Sequence, residues 1–184
     1  MNEIIKKLDA FLSTLRPGLY ESLQPPLNHN GIEGLEGKYH MKLPNDLKTL
    51  YQWRNGQAPN NYDSFVNNSM FMPLEEALDT AAGNTSMIGL DFEIENWWNA
   101  EWIPVFHNGG GDYICYDCGG TFTGQQGQII EFWHAGNDRN VIAPTLEAFI
   151  SKLNLYYETR NPQDFDDYFH IEKTEGYPKR FIVE

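Results

Sequence analysis

Three short β-rich runs separated by glycine-rich turns constrain the fold of this chain more than any other feature. They are EWIPVFH (101–107), DYICYDC (112–118) and QIIEFWH (128–134). Short strands joined by turns of this kind are typical of an antiparallel meander. The sequence therefore predicts a central antiparallel sheet in which the glycine triplet 109–111 forms a hairpin turn.

Segments with helical periodicity lie on both sides of these runs. Apolar residues at helical spacing predict an amphipathic helix over residues 2–16, which Pro17-Gly18 ends. A weaker helix is indicated around residues 32–39. Asn45 is a candidate cap for a short helix that Asn55-Gly56 ends.

Two more helices are predicted further along the chain. MFMPL (70–74) indicates a short strand that leads into the helix LEEALDTAAG (74–83). After a Thr145 cap, a last helix carries apolar residues on one face from residue 146 to 157. This order predicts an α+β fold with N-terminal helices, a central antiparallel sheet and a C-terminal helix packed on the sheet.

The domain organisation follows from the same pattern. We expect one domain over residues 1–157. Residues 158–184 mix charged and aromatic residues and end in the strand-like RFIVE. We predict that this C-terminal extension is either an edge strand or a mobile tail.

The charge distribution is strongly uneven. The chain has 13 basic and 26 acidic residues, and residues 55–138 contain twelve carboxylates with no lysine or arginine. Such a region repels a phosphate backbone and accelerates the encounter with a basic protein. We therefore predict a basic protein partner and no direct nucleic-acid binding, with a solvated acidic surface as the alternative.

The same region holds half of the aromatic residues of the chain. Aromatic anchors inside a charged rim are a common construction of specific interfaces. The candidate partner-binding residues from this pattern are Glu93, Glu95, Glu101, Glu131 and Trp98.

Cys115 and Cys118 form a CxxC pair, but strand geometry argues against a metal site. In an extended segment Tyr113, Cys115 and Asp117 share one face. Ile114, Tyr116 and Cys118 share the other, so the two sulfurs point apart. The spacing of His107 and His134 matches no standard zinc finger. We expect no metal and no cofactor.

No motif indicates an enzyme. The glycine triplet stands between two strands and lacks the helix N-terminus that phosphate-binding loops use. His107 and His134 lie at strand ends, where we expect them to cap turns or to be half-buried, and no nucleophile is recognisable. The sequence therefore predicts a protein without enzymatic activity.

Five segments of the chain, in order, carry a family resemblance. They are LPNDLKTLYQWRNGQ (43–57), FMPLEEAL (71–78), WIPVFHNGGGDYICYD (102–117), GQIIEFWH (127–134) and VIAPTLEAFISKL (141–153). These segments resemble the SUKH superfamily, which includes the yeast cell-wall synthesis regulator domain and many bacterial immunity proteins. In the family pattern a Leu-Pro begins a helix that ends in Asn-Gly, a Trp/Ile-Pro strand precedes a Gly-Asp-aromatic strand, and an Ala-x-x-hydrophobic-Glu-x-Phe helix closes the domain. The resemblance extends from about residue 30 to residue 153.

Most of the matching positions are fold determinants in this interpretation: Leu43, Pro44, Asn55, Gly56, Trp102, Ile103, Pro104, Gly111 and Phe149. Asp112 also matches, and Asp117 falls where the family tends to carry an aspartate. These two carboxylates are further candidates for partner binding. For Asp112 the alternative is a turn carboxylate that accepts backbone N–H bonds near Gly111. The insertion GGTFTGQQG (119–127) and the segment after residue 158 depart from the simplest family members.

The resemblance implies a non-enzymatic, protein-binding fold, in bacteria commonly directed against the toxic domain of a polymorphic toxin, often a nuclease. We expect an immunity protein that occludes the active site of its toxin with an acidic, aromatic-rich face. One alternative is an intracellular scaffold or regulator of the same fold. The other is a carbohydrate-binding or hydrolytic domain that uses Trp97, Trp98, Trp102 or Trp133 as a stacking platform.

Composition also gives an expected location. No apolar run approaches the roughly 18 residues of a membrane helix, and the N-terminal residues lack a signal-peptide pattern. Two cysteines are too few for a disulfide framework, which agrees with a reducing compartment. We expect a soluble, cytoplasmic protein that does not bind membranes.

Overall fold

Helices from both ends of the chain pack against a six-stranded antiparallel sheet, which confirms the predicted α+β class. The computed structural model describes residues 1–161, 165 and 169–184. Four helices precede the sheet: α1 (Asn2–Leu15), α2 (Pro17–Ser22), α3 (His29–Lys38) and α4 (Asn45–Trp53). Helix α5 (Leu74–Ser86) follows the first strand, and α6 (Leu146–Thr159) precedes the last.

The strands lie side by side in sequence order, and each pair of neighbours is antiparallel. The predicted meander is thus confirmed, and residues 179–182 form a strand at one edge of the sheet. The fifth strand was not predicted. The strands are β1 (Met70–Phe71), β2 (Trp102–His107), β3 (Tyr113–Asp117), β4 (Gln128–Phe132), β5 (Asp138–Ala143) and β6 (Lys179–Ile182).

Each face of the sheet carries its own apolar cluster because successive side chains of a strand point to opposite faces. The helix-covered face joins Ile114, Tyr116 and Ile129 to α1 and α6, and Cys118 packs against it. The other face buries Trp98, Trp102, Cys115, Ile130, Phe132 and Val141. The predicted separation of the two cysteines onto opposite faces is therefore confirmed.

The ends of the helices follow the sequence signals in part. The Thr145 hydroxyl accepts a hydrogen bond from the Ala148 N–H at 3.1 Å, which confirms the predicted cap of α6. Asn45 is not a cap, because α4 begins at this residue and Pro44 occupies the cap position. The Asn55 side chain instead accepts a 2.9 Å bond from the Leu74 N–H, at the first residue of α5.

Gly56 is required by a close backbone approach. Its φ is +75°, and an added Cβ would lie 2.3 Å from the backbone nitrogen of Pro73. No other residue fits this position without displacing the chain that enters α5. The matched Asn55-Gly56 pair therefore positions the start of α5 in two ways. The Asn55 side chain bonds to the Leu74 N–H, and the lack of a side chain at Gly56 lets the backbone of Pro73 come close.

Other motif residues lie in the core. Leu43 and Phe149 are buried in the helix-covered cluster, as is Ile103, while Trp102 is fully buried on the opposite face. Pro104 adjoins a register shift in β2. Gly111 has φ +95°, in the predicted hairpin turn between β2 and β3.

The C-terminal extension is packed onto the domain where the structure describes it. Strand β6 pairs with β5 from Asp138↔Ile182 to Val141↔Lys179. Phe169 is buried and stacks on Tyr156 of α6, with ring centroids 4.5 Å apart. Residues 162–164 and 166–168 of the predicted extension lie outside the described residues.

Candidate partner-binding surface

An exposed loop between α5 and β2 carries alternating apolar and acidic side chains. We call residues 87–96 the acidic loop. Ile88, Leu90 and Ile94 are exposed large hydrophobic residues, and Leu90 is 69% exposed. Between and beside them stand three exposed carboxylates, Asp91, Glu93 and Glu95. The loop therefore offers the combination of apolar contacts and negative charge that suits a basic partner.

The acidic loop has a defined conformation because Phe92 turns inward. Its ring packs edge-on against Phe132 of β4, with centroids 6.4 Å apart. The Phe92 N–H donates to the carbonyl of Met87 at 3.0 Å, and the Gly89 N–H donates to the Phe92 carbonyl at 2.9 Å. These bonds close the loop on itself and leave its other large apolar side chains facing solvent.

Arg139 of β5 anchors the segment that leaves the loop. It is fully buried, and its Nε and Nη2 donate to the Trp97 carbonyl at 3.1 and 2.7 Å. Its Nη1 donates to the Gly136 carbonyl at 2.7 Å. The guanidinium lies 4.9 Å from the Trp97 ring centroid and 4.8 Å from that of Phe132. Burial lowers the pKa of Arg139 to about 10, so it stays charged at neutral pH.

Sequence reasoning missed Arg139 although a signal was present. It is the first basic residue after Arg54, at the end of a long stretch without lysine or arginine. An isolated arginine at the end of such a stretch is a candidate for a residue that stabilises the interior, because no other lysine or arginine lies close to it in the sequence.

The acidic loop keeps its charge free of partners. Across residues 1–161, 165 and 169–184, no basic group lies within ion-pair distance of Glu93, Glu95 or the nearby exposed Glu101. By contrast, Lys38 pairs with Glu75 of α5 at 2.8 Å. Three of the predicted partner-binding residues, Glu93, Glu95 and Glu101, thus carry negative charge that no described basic group pairs.

Glu101 also lines an apolar groove between α5 and β2. The groove encloses about 600 Å³. Its lining includes Leu78 and Ala81 of α5, Ile103 of β2 and Met41. Glu101 therefore lies at a concave, largely apolar surface that also carries Lys42.

Two predicted contact residues are not available to a partner. Trp98 is 2% exposed, and its ring packs at 5.0 Å against that of Phe132. Asp117 is fully buried. The prediction that they contact a partner is therefore wrong. Both side chains are buried on the face of the sheet opposite the helices.

The Asp117 carboxylate organises the insertion 119–127 that departs from the simplest family members. It accepts hydrogen bonds from the N–H groups of Gly119, Gly120 and Thr121 at 3.0, 3.0 and 2.6 Å. It also accepts from the Thr121 hydroxyl at 3.3 Å and from the buried Gln128 amide at 2.7 Å. One carboxylate thus satisfies donors that would otherwise be left unpaired.

The remaining predicted residues, Asp112 and Glu131, lie away from the acidic loop and line a second pocket, which we call the asparagine pocket. It encloses about 290 Å³ where the turns at 66–69 and 108–112 meet the end of β4. Its lining includes Asn67, Asn68, Asn108, Asp112, Glu131, Trp133 and His170.

Asp112 braces this pocket. It accepts from the His134 N–H at 2.9 Å, lies 2.8 Å from His134 Nδ1, and accepts from the Asn108 amide at 2.8 Å. Asp112 is therefore a turn carboxylate, but its backbone donor is His134 of the neighbouring strand end, rather than a residue near Gly111. Burial works against the charge of Asp112, yet these hydrogen bonds lower its pKa.

Glu131 is partly buried on the helix-covered side of β4. Burial raises its pKa, and hydrogen bonds from the Asn140 amide and from Trp133 oppose that shift. The Asn140 bond is 3.1 Å long. This carboxylate therefore faces the interior of the asparagine pocket rather than an open surface.

Neither cysteine is activated as a nucleophile. Burial raises the pKa of Cys118 to about 12 and that of Cys115 well above its ordinary value, so both are protonated and unreactive at neutral pH. In the part of the chain that the structure describes, no hydroxyl or thiol is bonded to His134, and no three His, Cys, Asp or Glu side chains are grouped to hold a metal ion.

Fold and surface together define a class: an α+β domain whose antiparallel meander is covered by helices on one face and by an acidic loop on the other. The chain belongs to the SMI1/KNR4 family (SUKH-1), whose family model matches residues 26–152. Immunity proteins and regulatory protein-binding domains are common in this family. No curated protein matches the chain at a significant level. None of the described helices has both the length and the apolar character needed to cross a membrane.

Proposed function

We propose that this chain is a non-enzymatic immunity protein that binds a basic toxin domain through its acidic loop. One observation carries the proposal: three exposed apolar side chains alternate with unpaired carboxylates on a loop anchored from within by Phe92 and Arg139. Solvent-exposed apolar residues rimmed by charge mark protein-interaction sites.

The charge and the apolar residues have different effects in this mechanism. The carboxylates of Asp91, Glu93, Glu95 and Glu101 attract a basic surface and raise the association rate. Leu90, the most exposed of the loop's hydrophobic residues, anchors the complex and slows dissociation. A toxin that binds phosphate would present its basic active site to these carboxylates, and the body of the domain would cover that site. This requires the protein to share a compartment with its toxin, which we propose is the cytoplasm.

Co-expression with the toxin-like domain encoded beside its gene tests the proposal. We expect cell survival, and a complex that co-purifies at low salt and weakens as salt rises, because screening shortens the range of charge interactions to roughly 3 Å at 1 M. Cell death without a complex at any salt concentration contradicts immunity against that neighbour and favours a scaffold or regulator of the same fold.

Matched variants separate the two effects of the loop. The triple variant D91N/E93Q/E95Q should lower the association rate by about tenfold and flatten its salt dependence. The control E21Q/E172Q/E175Q removes three exposed carboxylates elsewhere and should leave both unchanged. Equal effects of the two triple variants would refute the proposal that the acidic loop steers the partner.

The apolar anchor has its own control. Leu90→Ala should raise the dissociation rate by about tenfold. Ile182→Ala removes a comparably exposed side chain, 63% exposed, from the edge strand β6 and should leave the rate unaltered. An unchanged dissociation rate for Leu90→Ala would remove the loop from the interface.

A further inference from the structure

We infer that the asparagine pocket binds a neutral, hydroxyl-rich ligand, either a free sugar or one sugar residue of a glycan. The pocket is separate from the acidic loop and unrelated to binding a basic partner. Its lining joins two carboxylates, three asparagine amides and the Trp133 indole in a space of about 290 Å³. Concave sites with a few converging polar groups and an aromatic wall are typical of small-molecule binding.

The charges around the pocket favour a neutral ligand. Asp112 lies 2.8 Å from His134 Nδ1, so its charge has a partner when that histidine is protonated. Glu131 lies near His170 and Arg180, whose charges act on it. The lining contains no lysine or arginine, so an anion would meet two carboxylates without a strong cation. An anion is therefore poorly matched, and an ammonium group would compete for carboxylates that already accept hydrogen bonds from His134, Asn108 and Asn140. An uncharged polar molecule meets neither obstacle.

The unused hydrogen-bonding groups suit hydroxyls. Asn68 and His170 make no side-chain hydrogen bond within the described residues, and both are exposed at the pocket. Amides and carboxylates can each bind two neighbouring hydroxyls, since an amide offers a donor and an acceptor and a carboxylate offers two acceptors. The lining thus supplies donors and acceptors for vicinal hydroxyl groups from more than one side.

Trp133 supplies the apolar surface that a sugar ring also needs. It is 41% exposed while its neighbour Phe132 is buried, so a large part of the indole remains open to solvent. An aromatic ring with an apolar body and a polar edge can cover the C–H face of a sugar. The pocket volume accommodates one sugar ring, and further residues of a glycan would extend into solvent.

Titration by NMR tests this inference with defined probes. The panel is D-glucose, D-galactose, D-mannose, N-acetyl-D-glucosamine, maltose and cellobiose, and the readouts are the Trp133 indole N–H shift and saturation transfer to the sugar. At least one probe should bind and shift this resonance. Stronger binding of a disaccharide than of its monosaccharide indicates a glycan, whereas equal binding indicates a free sugar.

Variants place the ligand in the pocket. Trp133→Ala and Asn68→Gly should each weaken binding by about tenfold. Glycine at 68 tolerates the left-handed backbone found there, where φ is +56°, so the variant removes the amide without straining the chain. The controls are Tyr62→Ala, an exposed aromatic outside the pocket, and Asn96→Gly, another left-handed asparagine with φ +58°.

Three results would overturn the inference. The first is no response to any sugar of the panel. The second is equal losses in the pocket variants and in their controls. The third is tighter binding of propylamine or inorganic phosphate than of every sugar, which would show that the pocket selects charge.

Discussion

Replacing Asp117 should destabilise this protein more than removing any carboxylate of the acidic loop. Asp117→Ala deletes a fully buried acceptor of five hydrogen bonds, leaves the buried Gly120 N–H without its partner and removes one of the two acceptors of the buried Gln128 amide. A hydrogen bond to a charged group contributes about 1.5–3 kcal/mol. Bonds that share one carboxylate are not additive. We therefore expect a loss of about 3–5 kcal/mol in the free energy of unfolding.

Urea and thermal unfolding, followed by far-UV circular dichroism, measure this loss. For a chain of this length each kcal/mol lowers Tm by roughly 2–4 °C, so we expect a decrease of about 6–20 °C. Asp117→Asn keeps the shape but turns an NH₂ group towards donors, and it should lose most of the same stability. The exposed control Glu172→Ala should change the free energy by less than about 0.5 kcal/mol.

A loss below about 1 kcal/mol for Asp117→Ala would refute the reasoning. It would mean that the 119–127 segment finds other acceptors or water when the carboxylate is removed.

Three other changes have expected outcomes that follow from local geometry. Lys48 is the main cause that lowers the pKa of the buried Glu36 from 4.5 to about 2. The ionised Glu36 therefore stabilises the folded protein fully above pH 4.5, and this stabilisation is lost as the pH falls towards 2. Glu36→Gln should make the free energy of unfolding less dependent on pH over this window. Gly56→Ala should lower the free energy of unfolding by more than about 3 kcal/mol or prevent folding. The control Gly124→Ala, where φ is similar but the space is open, should lower it by about 1–2 kcal/mol. Equal losses in thermal unfolding would contradict the close approach of Gly56 to the Pro73 backbone. Asn55→Ala should cost about 1 kcal/mol in urea unfolding by removing the cap of α5, and an unchanged midpoint would show that water replaces the cap.

The regular elements were predictable because their periodicity is strong. The helical face of α1, the three runs that became β2 to β4 and the Thr145 cap all lie in short stretches whose own residues determine their structure. Strand β5 was missed because it begins DRN and buries an arginine, which removes the apolar alternation that marks a strand. A buried cation is stable there because carbonyls and aromatic rings surround it, from residues 132–138 nearby in the chain and from the distant Trp97.

The surface was less predictable than the fold. Glu93, Glu95 and Glu101 are exposed as expected, but charge and aromatic content alone did not distinguish Asp117 and Trp98, which are buried. Burial of a carboxylate depends on donors that converge from a turn, and the sequence gives no distance between them. The asparagine pocket likewise arises where two turns and a strand end that are far apart in the chain come together.

The way in which Arg139 holds its surroundings has an evolutionary consequence. Its hydrogen bonds end on main-chain carbonyls, at residues 97, 133, 136 and 138, so none of them depends on the identity of an exposed side chain in the acidic loop. Substitutions at positions such as 88, 90, 91, 93, 94 and 95 leave that anchor intact. If the acidic loop is the recognition surface that we propose, one lineage can change its recognition sequence repeatedly while its framework is inherited unaltered. A lineage would need to do so if its binding partner were changing too.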